Sequence, residues 1–530
     1  MKSTITLYDT TLRDGAQGEG INFSLRDKLR VARRLADFGV HYIEGGWPGS
    51  NEKDVAFFQE AAKQDWGQTK IAAFGSTCKP GMKASEDPQV KMLLDAATPV
   101  VTFFGKSWML HVEKVLRTTP EENIRMIADT VAVLKANGRE VIYDAEHFFD
   151  GYKNNPAYAL STIQAASDAG ADYIVLCDTN GGTMPHEIAE ITRKMVGTVK
   201  TKIGIHTHND CGLGVANALA AVLEGASQIQ GTINGYGERT GNCNLISVMP
   251  LLELKLQRRV LADSKLSQLS ELSCFVDEVA NQNHDNRAPF VGISSFAHKG
   301  GMHVNAVNKT EVSYEHITPE LVGNRQRILV GELSGRTNVM LKARELGITL
   351  DEKDPATRRI LEDIKRLENE GYEFEAADAS FELLVRSQLE GFKPSFELSE
   401  YHVSMRKNVT HGFTNCEATV KLMVDNEVIH TVANGDGPVN ALDNSLRRAL
   451  VQKYPQINAF HLIDYKVRIM DSSNGTAAKT RVLIISSDGL KEWGTVGVSD
   501  NVIEASWLAL CDSVLYYLNV MLLQSESQGK

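Results

Sequence analysis

Two short runs carry the residue types best suited to metal-assisted chemistry: Arg13-Asp14-Gly15 near the start of the chain and His206-Thr207-His208 well beyond it. Side chains on a β-strand alternate between faces, so the i, i+2 spacing puts both imidazoles on one face at one strand end. There they can grip a single ion. If the two runs lie close together, Asp14 adds a carboxylate to that ion and Arg13 a permanent positive charge beside it. A lone histidine at a strand end is more often a satisfied polar residue than a ligand. Two at this spacing, followed by Asn209-Asp210 and the helix signal Gly212-Leu213-Gly214-Val215-Ala216, favour a metal site. Asp14 has the duller alternative of capping a turn with Gly15, but opposite charges side by side at a barrel mouth usually organise something. Glu44, in Tyr42-Ile43-Glu44-Gly45-Gly46-Trp47-Pro48-Gly49, is placed to orient Arg13 by a bidentate contact. Its alternative is a solvated glutamate.

These residues need a scaffold, and eight short apolar runs supply one: Thr4 to Leu7, Tyr42 to Glu44, Lys70 to Phe74, Val100 to Phe104, Glu140 to Tyr143, Tyr173 to Cys177, Lys202 to Ile205, and Gln228 to Ile233. Helix signals separate them. Ser24 caps an amphipathic stretch that stops at Gly39, and Thr119-Pro120-Glu121-Glu122 opens another that ends at Gly138. Strict alternation of strand and helix over roughly 240 residues, with polar residues at nearly every strand end, predicts a closed eightfold β/α barrel, a TIM barrel with its chemistry at the strand C-termini. An open doubly wound sheet is the alternative.

At 530 residues, 42% hydrophobic and 23% charged, the chain can bury more than one core. Its net charge of -11, with no basic cluster, argues against a nucleic-acid partner, so an anionic substrate must be attracted by local charge. With a first strand at about residue 4 and no apolar run of membrane-spanning length, the expectation is a cytoplasmic protein without a membrane partner. Its seven cysteines form no CxxC pair and suit a reducing compartment. Cys177, Cys211 and Cys243 fall near barrel strand ends, where scattered structural thiols are the simpler reading than ligands. The run Gly235 to Asn242 superficially resembles a dinucleotide loop, but it lacks the GxGxxG spacing and an opening βαβ strand.

Taken together, Asp9-Thr10-Thr11-Leu12-Arg13-Asp14-Gly15-Ala16-Gln17, His206-Thr207-His208-Asn209-Asp210 and Gly237-Glu238-Arg239-Thr240-Gly241-Asn242 resemble the Claisen-condensing acyl-CoA synthases of the 2-isopropylmalate and homocitrate synthase family, across essentially the whole chain. The runs Glu44 to Asn51 and Gln17 to Gly20 narrow the resemblance to one branch of it. The resemblance implies a divalent metal (Mn, Mg, Zn or Co) held by Asp14, His206, His208 and Asn242. A 2-oxo acid is chelated to it, with Arg13 on the carbonyl oxygen and Thr179 holding the carboxylate. Acetyl-CoA is the implied co-substrate. Deprotonation beside its thioester requires a base and exclusion of water. Glu146 matches the family's acidic residue at strand five, while His303 and Tyr314 match residues delivered from beyond the barrel to the partner subunit's site, which implies a homodimer. Whether Glu146 or His303 takes the proton stays open. Phe104 and Tyr143 end neighbouring strands and are expected to wall the mouth, favouring the methyl group of pyruvate over bulkier 2-oxo acids. Larger 2-oxo acids, as used by 2-isopropylmalate or homocitrate synthases, are the alternative substrates. A metal-dependent barrel hydrolase is the alternative of another class, although it typically carries its His-x-His pair on the first strand rather than the seventh.

The expected division is a catalytic barrel over residues 1–282, a mostly helical linker over 283–394 that contributes to the active site, and an α+β domain over 395–530. The linker contains a charged helix between Asp351 and Glu375 with Ile360, Ile364 and Leu367 on one stripe. The last domain repeats a β-rich unit followed by a helix, the helices opening at Gly437-Pro438-Val439-Asn440-Ala441 and Asp500-Asn501-Val502-Ile503-Glu504-Ala505. Two helix starts in a pseudo-twofold arrangement offer free N–H groups to a carboxylate. The resemblance implies an amino-acid-sensing regulatory domain, with isoleucine as effector near Gly437 and Asp500; a plain dimerisation domain is the alternative.

Overall fold

The computed structural model describes residues 5–262, 265–300, 304, 306, 313–330, 336–351, 354–389, 391–409, 413–470 and 478–522. Eight parallel strands close into a barrel in sequence order: β1 (Thr6–Asp9), β2 (Tyr42–Gly46), β3 (Lys70–Ser76), β4 (Val100–Lys106), β5 (Glu140–Glu146), β6 (Tyr173–Asp178), β7 (Lys202–Thr207) and β8 (Gln228–Gly231). β1 pairs with both β2 and β8, which closes the ring. All eight predicted strands are present. Seven run one to three residues further toward the catalytic end than their apolar runs, because polar side chains there face a shared interior instead of water. β8 is the exception: it stops at Gly231, and the chain turns through Asn234 with φ of +58°.

The helices begin and end where local chemistry directs. Leu25–Phe38 is opened by a reciprocal capping box between Ser24 and Asp27 and closed by Gly39 in the left-handed region, φ 101°. Pro120–Ala136 has Thr119 as its cap and Pro120 in its first turn. Their apolar faces pack on outward strand residues such as Leu7, Ile43, Phe103, Tyr143, Ile174 and Ile229, in one continuous buried layer. A second, smaller cluster fills the barrel: Tyr8, Tyr42, Ala72, Val100, Ile142, Tyr173, Val175 and Cys177.

A second compact unit comprises residues 297–315 and 327–530. The helix predicted between Asp351 and Glu375 spans Pro355–Glu370, with Ile360 and Ile364 buried. The two repeats appear as two three-stranded antiparallel sheets, Glu397–Asn408 with Phe413–Val424 and Glu427–Gly435, then His461–Ile469 with Thr480–Ser487 and Glu492–Ser499. Each is followed by its helix, Pro438–Leu450 and Val502–Tyr516. A glycine marks the crossing in each copy: a Cβ at Gly435 would lie 2.3 Å from Ala441 N, and one at Gly497 would lie 2.0 Å from Ala505 O. Packing does not follow the change in composition at 394. The helix Asp378–Ser387 lies against the last strand and last helix, and Phe381 and Val385 share a buried cluster with Val496.

Candidate metal centre and cleft at the barrel mouth

Strand register sets which side chains meet at the mouth. Phe104 pairs with Asp144 across β4 and β5, and Cys177 with His206 across β6 and β7. Period-two alternation turns Phe74, Phe104, Asp144, Cys177, His206 and Gln230 inward, with Glu146, Thr179 and His208 at or just past the strand ends. A cleft of about 240 Å³ opens there, lined by Arg13, Asp14, Gln17, Trp47, Phe74, Phe104, Asp144, Glu146, Cys177, Thr179, His206, His208, Glu238 and Arg239.

Asp14, His206 and His208 come together as a buried group whose ligand atoms all lie within 4.8 Å of one another. His206 Nε2 is 3.4 Å from Asp14 Oδ2 and 3.3 Å from His208 Nε2, spacings that a single ion with bonds of about 2.0 to 2.2 Å spans. Asn242 is paired to the backbone of His208 through an isolated bridge. Its Oδ1 is buried without a hydrogen-bond partner, the state expected of an acceptor reserved for a cation. Gly237, with φ of +148°, permits that approach, since a Cβ there would sit 2.2 Å from Asn242 Nδ2. Carboxylate, two imidazoles and an amide oxygen form a donor set that suits a divalent transition metal or Mg²⁺.

Burial opposes the charge on Asp14, but the guanidinium of Arg13 and then His206 hold its carboxyl well below the usual carboxylate range. Burial, reinforced by His206, lowers the His208 pKa to about 3, which keeps that ring neutral as a ligand must be. Arg13 stays charged because Glu44 and Asp14 outweigh its own burial. Its Nε donates to Glu44 Oε1 at 2.5 Å and its guanidinium lies 3.7 Å from the centre of the Phe74 ring. The contact with Glu44 is single, not bidentate as the sequence suggested, because Tyr8 donates its hydroxyl to Glu44 Oε2 at 2.7 Å. Glu44 itself is fully buried.

Thr179 faces the cleft and accepts from the backbone N–H of His147 at 2.9 Å. Glu146 forms an ion pair with Lys106, which ends β4. Phe104 walls the cleft with Trp47 and Phe74, their ring centres 5.7 to 5.9 Å apart. Tyr143 does not join them. It is fully buried outside the barrel against Phe103, 5.5 Å between ring centres, so the expectation that it walls the mouth is corrected. The reason is parity: Tyr143 and Glu146 are three residues apart on one strand and cannot share a face, and Asp144 is the residue that does. That signal was present in the sequence. Lys106, Trp47, Gln230 and Arg239 are further cleft and near-cleft residues that spacing alone did not single out. Of the candidate thiols, Cys177 reaches the cleft and Cys243 is buried, but among the described residues neither belongs to the ligand group.

His303 lies outside the described residues. Tyr314 belongs to the second unit and is half exposed. In that unit Gly437 is the N-cap of its helix and offers no side-chain cap, whereas the second helix is capped by Asn501, one residue after Asp500, whose side chain accepts from Ile503 N.

The HMGL-like family model matches residues 4–276, a homocitrate synthase post-HMGL domain-like model residues 290–372, and the LeuA allosteric (dimerisation) domain residues 375–518. The chain is 54% identical to an (R)-citramalate synthase of Aquifex aeolicus over 100% of both chains, and 52% identical to one of Geobacter sulfurreducens over 98% of each. Identity to a 2-isopropylmalate synthase of Halalkalibacterium halodurans is 30%, over 97% of each chain.

Proposed function

Because the chain belongs to the (R)-citramalate synthase branch of the HMGL-like family, we propose that it condenses acetyl-CoA with pyruvate and water, giving (R)-citramalate and CoA. The observation that carries this reading is the convergence of Arg13 with Asp14, His206 and His208 at the mouth of one barrel. A divalent metal held by Asp14, His206, His208 and Asn242 would act as Lewis acid and template for a chelating 2-oxo acid. Arg13, held by Glu44 over Phe74, donates to the carbonyl oxygen of pyruvate where negative charge develops as the new carbon–carbon bond forms. Thr179 receives the substrate carboxylate. Glu146, at the cleft wall beside Lys106, is the base we favour for taking a proton from the acetyl methyl; electrons from that C–H bond form the bond to the pyruvate carbon. Hydrolysis of the thioester then releases CoA.

The close aromatic wall of Trp47, Phe74 and Phe104 supports pyruvate over branched acids, since a larger alkyl group meets rings packed against each other. We assign residues 1–282 to catalysis, 283–394 to completing the site with His303 and Tyr314 across a homodimer, and 395–530 to feedback sensing. Isoleucine is the effector we favour, its carboxylate at the helix starts after Gly437 and Asp500. Thiol release from acetyl-CoA, read with a thiol reagent against pyruvate, 2-oxobutanoate and 2-oxoisovalerate, tests the reaction. Highest kcat/KM with pyruvate is expected; preference for 2-oxoisovalerate would redirect the assignment to 2-isopropylmalate.

A further inference from the structure

The two histidines at the mouth are held from behind in opposite ways. His206 Nδ1 lies 2.9 Å from Gln230 Oε1, and Gln230 Nε2 donates to Asp144 Oδ1 at 2.9 Å. All three residues are buried. The amide nitrogen of Gln230 can only donate, and Asp144 Oδ1 accepts from it, so the amide is oriented with its nitrogen toward Asp144. Its oxygen must then face the imidazole, Nδ1 must carry the proton, and the lone pair is left on Nε2, toward Asp14 and His208. Behind His208 stands a donor instead: Arg239 Nη2, 3.1 Å from Nδ1. A donor there makes Nδ1 the acceptor and favours the opposite tautomer, so His208 is not preset to offer a lone pair on Nε2.

We propose that Gln230, oriented by Asp144, is a positioning residue that presets His206 as the anchoring ligand of the divalent ion. A filler amide in the barrel interior would not need this geometry. Gln228, two residues earlier on the same face of β8, is equally buried and has neither amide atom partnered, so the strand does not satisfy its glutamines by default. A hydrogen bond that fixes the tautomer and ring orientation of a ligating histidine typically changes metal affinity by about 10- to 100-fold when lost. The inference rests on the metal reading above and goes beyond it by naming the residues that prepare the ligand.

The test is Zn²⁺ affinity of the full-length protein, measured at neutral pH by competition with a chromophoric chelator, without reference to turnover. Gln230→Met keeps length and removes the acceptor; affinity is expected to fall about 10- to 100-fold. Asp144→Asn with Gln230 intact removes the carboxylate that orients the amide and is expected to lower affinity in the same direction. His206→Ala serves as the control that separates the two ideas. If wild type and His206→Ala take up Zn²⁺ equally, the metal reading itself fails. Should His206→Ala lose the metal while Gln230→Met binds it as tightly as wild type, the positioning role of Gln230 is overturned and the metal site stands. Where Gln230→Met does not fold by far-UV dichroism, Gln230→Asn, which withdraws the amide by one methylene, replaces it with the same expected fall and the same overturning result.

Discussion

The barrel mouth and the paired sheets of the second unit place polar groups in contrasting ways. At the mouth, charged side chains are buried and held by other side chains: Glu44 takes Arg13 and Tyr8, and Gln230 joins His206 to Asp144. In the paired sheets the repeated feature is backbone, a helix start beyond a glycine that lets helix and strand touch. Buried charge fixed by neighbours suits a reaction in which charge develops at one atom. Backbone N–H groups at a helix start suit reversible capture of a carboxylate. The copies are also unequal, since Asn501 occupies its own helix start while Gly437 leaves that position open.

The largest expected effects break the mouth and spare the paired sheets. His206→Ala should lower kcat by about 10³-fold or more and abolish metal content, while the isoleucine binding proposed for the paired sheets, followed calorimetrically, should be unchanged. Arg13→Lys keeps the charge but loses the planar fork over Phe74; a fall in kcat of about 10²-fold with metal retained is expected. Near-normal turnover in the lysine variant would make Arg13 a structural partner of Glu44 only.

The converse change spares the mouth. A cut near Phe392 would strip the helix Asp378–Ser387 of the strand and helix it packs against, so a point substitution is the cleaner probe. In Gly497→Val the new side chain meets Ala505 O and Ala509 N, which must push the helix off its sheet. Inhibition by isoleucine should be lost, with Zn²⁺ affinity as in wild type. A protein indifferent to isoleucine before mutation, across a series that includes leucine and lysine, would leave these residues as an assembly module.

A smaller change sharpens substrate choice. Trp47→Ala removes one wall of the aromatic cluster, and the ratio of kcat/KM for 2-oxobutanoate over pyruvate should rise about 10-fold, the scale on which a single methylene is discriminated. An unchanged ratio would place the alkyl group elsewhere in the cleft.

Why the mouth was largely legible and parts of it were not follows from what spacing encodes. His206 and His208 declare their shared face by a separation of two, and Arg13-Asp14 sits just past a recognisable strand, so both could be read directly. Tyr143 was misplaced because bulk suggested a wall while parity with Glu146 excluded one. Lys106 and Gln230 matter through partners on other strands, Glu146 and His206, and no local pattern announces a contact made across the barrel. Likewise the composition change near 394 was visible, whereas the packing of Asp378–Ser387 onto a strand more than a hundred residues later was not. The paired copies were found because repetition, unlike contact, is a property of sequence.

Asp9 gives the most specific test of the cost of buried charge in the barrel. Its carboxylate is fully buried and accepts from Thr11 N and Thr11 Oγ1, and the same hydroxyl accepts from Ile233 N, joining the ends of β1 and β8. Burial pushes its pKa up to about 7, against 3.8 in an unfolded chain. Between those values the folded protein holds a proton that the unfolded chain has released, so this group's contribution to stability falls as pH rises from about 4 to about 7 and is level above. Asp9→Asn removes the titration and keeps a polar group for Thr11. Relative to the variant, wild type should lose about 2 to 3 kcal/mol between pH 5 and pH 8, read from barrel unfolding in denaturant at each pH. Parallel curves for the two proteins would mean that Asp9 stays ionised in the fold, with the Thr11 bonds outweighing its burial.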